Sequence, residues 1–96
     1  MKTIESSLAE YVEVLASSLD NTKHANDRSV YEKHLAVAAR MLVAASKENG
    51  IKELREIVAE ERRSFGWSFL SGEEGERAER AFNHLANLVE AVNEAR

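Results

Sequence analysis

Apolar residues return every three or four positions through four separate stretches of the chain. In the first, Ile4, Leu8, Tyr11, Val12, Leu15 and Leu19 fall within about a 100° arc when each residue advances by about 100°. Glu5, Glu10, Glu13, Ser17 and Ser18 lie largely outside that arc. The spacing predicts an amphipathic helix over about 3–20. The polar run DNTKHAND at 20–27 breaks it, being rich in turn and cap residues. Ser29 and Glu32 have capping-box spacing, so the second helix is placed at about 28–49, with a start already at Thr22 as the alternative boundary. Its main stripe is Tyr31, Leu35, Ala38, Leu42 and Ala45, with His34 and Met41 alongside. On the reverse, Lys33, Arg40 and Lys47 recur every seven residues but are flanked by Ala36, Val37, Val43 and Ala44. A helix apolar nearly all round is expected at the centre of a bundle or at an interface.

Gly50 reads as a stop for the second helix, since glycine accepts the left-handed conformation found after helix ends. A third helix, about 51–65, carries Ile51, Leu54, Val58 and Phe65 on one stripe, which Glu61 and Arg62 interrupt. A buried charge there would need a partner. The expected state is an Arg62 whose aliphatic stem packs while its head reaches water. The segment FGWSFLSGEEG then concentrates three aromatics and three of the four glycines, and Ser71 with Glu74 again has capping-box spacing. The fourth helix, about 72–94, shows a heptad-like seam of Ala78, Phe82, Leu85, Val89 and Val92. Together these stripes predict an all-α fold, an antiparallel up-down four-helix bundle forming one domain over residues 1–96.

Composition agrees with this and narrows the chemistry. Proline is absent, and alanine, leucine, glutamate and arginine, all good helix formers, dominate. With no cysteine there are no disulfides, thiolate metal sites or thiol nucleophiles, which points to a reducing compartment. Acids within the first 15 residues argue against a signal peptide, so the expected location is the cytoplasm. The longest apolar run, LAVAARMLVAA, contains an arginine and is far short of the roughly 20 residues a membrane span needs. A net charge of −4 disfavours non-specific binding to nucleic acid. That charge is sorted along the chain: residues 1–20 and 71–96 each carry −3, and residues 21–50 carry +2.

No catalytic or metal-binding pattern stands out. The three histidines lack Glu-x-x-His or His-Glu-x-x-His spacing; an early second helix would place His24, Asp27, Tyr31 and His34 near one face, a weak ligand set at most. A glycine-serine elbow and a phosphate-binding loop are both missing, and the adjacent acids Glu60/Glu61 and Glu73/Glu74 read as solvated surface. Helices two and three could be read as a helix-turn-helix, but Lys52, Arg55, Arg62 and Arg63 are cancelled by Glu53, Glu56, Glu60 and Glu61. The sequence therefore points to a non-enzymatic protein-interaction module, a homodimer or an accessory protein, with no cofactor. The candidate contact residues are Trp67, Phe69, Arg62, Arg63, Val37, Arg40 and Val43, because aromatics and arginine are enriched at interface centres. An acidic antitoxin- or immunity-type inhibitor of a basic protein, or a nucleic-acid-linked regulator, are the alternatives.

Overall fold

Four helices run over Lys2–Asn21 (α1), Ala25–Ser46 (α2), Ile51–Arg63 (α3) and Gly72–Glu94 (α4) in a computed structural model that describes residues 2–63 and 72–94. α1 packs against α2 and α4, and α3 completes the ring between α2 and α4. The connections 22–24 and 47–50 are short enough to turn neighbouring helices antiparallel. Across the ring Tyr11 meets Phe82, while Ile4 shares a cleft with Val92 near the other end, so α1 and α4 also run in opposite directions. The result is the up-down four-helix bundle of the sequence pattern, with extents of 42 × 20 × 19 Å. Among the described residues no helix is long and apolar enough to cross a membrane.

The core lies along the axis. Leu8, Tyr11 and Leu15 from α1 meet Tyr31, Ala38 and Met41 from α2, Leu54, Ile57 and Val58 from α3, and Phe82, Leu85 and Val89 from α4. The Tyr11 and Phe82 rings sit 5.7 Å apart at 52°, a tilted arrangement that brings a ring edge toward a ring face. Ser7 and Ser18 are buried as well, although hydropathy alone puts Ser18 outside the apolar arc.

Two helix boundaries differ from the pattern, each for a local reason. α2 begins at Ala25 with His24 as an extended N-cap that makes no side-chain cap bond, so Ser29 and Glu32 lie inside the helix and form no capping box. The early start lets Arg28 reach back: its Nη1 donates to the carbonyls of Leu19 (2.8 Å) and Thr22 (3.1 Å). A guanidinium there satisfies acceptors at the negative end of α1. The Ser71–Glu74 capping pair and the last residues expected of the third helix, 64 and 65, involve positions outside the described residues.

At its far end α2 stops at Ser46, and Lys47 is already extended (φ −82°, ψ 146°). Gly50 is not a left-handed stop for α2; it opens α3, its carbonyl accepting the Leu54 amide at 2.9 Å while its own amide donates to the Lys47 carbonyl at 3.3 Å. What requires glycine is proximity, because a β-carbon here would fall 1.7 Å from the Ala44 carbonyl oxygen. Gly50→Ala is therefore expected to cost more than about 2 kcal/mol, measured by urea unfolding. A loss under about 0.5 kcal/mol would show that the turn relaxes freely.

Candidate functional site

Three surfaces and one buried cluster hold the side chains with chemical potential. The cluster is at the α2–α3 contact. Glu61, on the stripe that faces the core, is 6% exposed, and so is His34 opposite it. Glu61 Oε2 and His34 Nδ1 are 2.6 Å apart. An ionised carboxylate only accepts, so this geometry puts the ring hydrogen on Nδ1 and lets it donate to Glu61. Of the two charged residues that interrupt the α3 stripe, Glu61 is thus the buried one. Arg62 is exposed, and its head reaches the surface, where Nη1 donates to Glu90 on α4. A carboxylate is short enough to turn inward beside Val58, and His34 gives it the donor that burial demands.

Tyr11 reaches the same region from α1. Burial pushes its phenol well above the usual range, and the charge of Glu61 pushes it further in the same direction. With His34 and Glu61 both buried and joined across two helices, the pair acts as a structural tie.

The tie sets which side of α2 faces inward. The buried row on α2 is Tyr31, His34, Ala38, Met41 and Ala44, not the Tyr31, Leu35, Ala38, Leu42, Ala45 stripe that hydropathy favours. Leu35 and Ala45 are half-buried, and Leu42 is 43% exposed. Beside Leu42, Val43 is 56% exposed, and Ala36, Ala39 and Arg40 are exposed on the same outward side.

The expected contact residues separate. Val43 and Arg40 are on the outer side of α2, while Val37 is half-buried against the core on another flank. Arg62 and Arg63 are exposed on α3, where Arg62 is engaged with Glu90. Trp67 and Phe69 lie outside the described residues. A shallow cleft between α1 and α4 is lined by Glu10, Val14, Arg77, Arg80, Ala81 and His84, mixed in charge. Among the described residues no group of three His, Asp or Glu side chains is placed to hold a metal ion. The buried His34–Glu61 pair escaped sequence reasoning although a signal was present: His34 lies beside the α2 stripe, as Glu61 lies on that of α3.

Breaking the tie from either side takes a short hydrogen bond from a buried polar group, so His34→Leu and Glu61→Leu should each cost about 3 kcal/mol in chemical denaturation. The double replacement should cost clearly less than the sum of the two; additive losses would count against a direct tie. Alkali gives a second check. Because the folded phenol of Tyr11 ionises later than the unfolded one, its contribution is fully present below pH 10 and is lost as the pH rises beyond that value. Stability should fall by up to about 1.4 kcal/mol per pH unit from this group, and Tyr11→Phe should flatten the decline. An equal decline in both proteins would assign it to other groups. No family model, curated protein or solved structure matches the chain, and its function has to be read from these residues.

Proposed function

We propose that this protein is an interaction module without catalytic chemistry of its own, and that it binds protein through the outer face of α2. The observation that supports this most is the exposure of Leu42 and Val43, at 43% and 56% the large hydrophobics left open among the described residues. With Ala36 and Ala39 exposed beside them, they make a continuous apolar strip and not an isolated residue. Arg40, exposed next to Val43, adds a planar group suited to stacking and paired hydrogen bonds at an interface.

The strip is also dispensable for folding in a way that core residues are not. Val43→Asp is expected to change stability by no more than about 0.5 kcal/mol, because the side chain is mostly in water already. A photoreactive amino acid placed at Val43 should give discrete protein adducts in cells. The same group at Asn83, exposed on α4, should give few. Equal, sparse labelling from both positions would remove the case for α2 as a binding face.

A further inference from the structure

α1 and α2 each carry a second helical row outside the core. On α1, Ala9, Val12, Ala16 and Leu19 recur at intervals of three and four, the alanines exposed and the larger residues half-buried. On α2, Leu35, Ala39 and Leu42 repeat the pattern, the first half-buried and the other two exposed. Both rows border one face. The opposite flank of α1, with Glu10 and Val14, meets α4 at Arg77 and Ala81, and the opposite flank of α2 meets α3 through His34 and Glu61. Small residues alternating with larger ones at heptad-like spacing allow helices to approach closely and interdigitate.

The outer edges of this face differ in charge, although Glu32, exposed on α2 in line with Ala39, adds an acid nearer its middle. Glu13 and Asp20 lie along the outer edge of α1, and Lys33 and Arg40 along that of α2, all exposed. The register between the helices is fixed at both ends. Ile4 and Ala45 share a cleft at one, and Arg28 holds the Leu19 carbonyl at the other. Glu13 therefore sits at the level of Leu35, within a turn of Lys33.

We infer that this face is a homodimer interface in which α1 of each copy lies on α2 of the other, about a two-fold axis in the plane of the face and parallel to the helices. The inference rests on the proposed interaction role and names its partner as a second copy of the chain. Charge selects the arrangement. That axis sets Glu13 of each copy against Lys33 of the other, as an isologous contact requires. The in-plane axis perpendicular to it would stack acid on acid and base on base. Size is compatible as well: α2, with 22 residues, is about 33 Å long. Two such helices side by side offer roughly 600 Å² per copy, at the lower end of stable interfaces.

Sedimentation equilibrium on the full chain, with circular dichroism melts to confirm folding, tests this directly. The wild-type protein should form a reversible dimer. Ala39→Glu, at an exposed helical position, should weaken it by ~10-fold or more while the monomer stays folded. Glu13→Lys and Lys33→Glu should each weaken it several-fold, and the two combined should restore it. A wild type that stays monomeric at every concentration overturns the inference, and labelling from Val43 then decides separately whether the interaction role stands. A dimer indifferent to Ala39→Glu and to both charge reversals overturns this face and leaves the interaction role intact. Single reversals that weaken the dimer without recovery in the double variant overturn the two-fold arrangement.

Discussion

Enclosing a carboxyl group in a bundle this small costs several kcal/mol unless a donor meets it, and His34 on the neighbouring helix meets Glu61. For that meeting α2 has to present a polar residue to its α3 side. It does so by turning about 60° from the orientation that would bury its most apolar stripe. Met41 and Ala44 then go inside, while Leu42 stays partly in water. Hydrophobic burial on α2 is therefore not maximal. The difference is offset by a short hydrogen bond that only one pairing of α2 with α3 can form, so the contact favours a single rotation of the helix over its competitors.

Four helices, their order and most of the core were legible because α1, α3 and α4 are amphipathic in one direction only. The α4 seam of Ala78, Phe82, Leu85 and Val89 is buried as the spacing implies. α2 was harder for a reason visible in its composition. It has two apolar sides, and periodicity cannot choose between them when the deciding partner lies 27 residues further along the chain. Glu61 and Arg62 pose the same problem in miniature. The interrupted stripe signals a charge near the core, but which of two adjacent residues turns inward depends on whether a donor waits opposite. Arg28 and Gly50 show that boundaries, too, were set by contacts between helices: a guanidinium reaching the end of α1, and a carbonyl too close for any side chain. As for the expected contact residues, α2 keeps Arg40 and Val43 on its outer side and draws Val37 toward the core.

The inner contact and the outer face are linked by this geometry. A helix has one rotation, so whatever fixes its inward side also fixes what it shows to solvent. Placing His34 against Glu61 places Leu35, Ala39 and Leu42 on the α1 side of the helix, next to the alanine-spaced row of α1. The outer strip is thus a product of core pairing and not of local hydropathy. Its exposure cannot be altered by small shifts of α2 without loosening the buried pair.

The order of packing around the ring has a kinetic side. Three of the helix contacts, α1 with α2, α2 with α3 and α3 with α4, join neighbours in the chain. The fourth, between α1 and α4, joins the helices farthest apart in sequence and includes the tilted ring pair of Tyr11 and Phe82. Hairpins of adjacent helices close small loops and form quickly, whereas the final seam must overcome the entropy of bringing distant segments together before its contacts return anything. Of the four helix contacts, the one that carries the Tyr11–Phe82 ring pair therefore closes the longest loop and bears the largest chain-entropy cost.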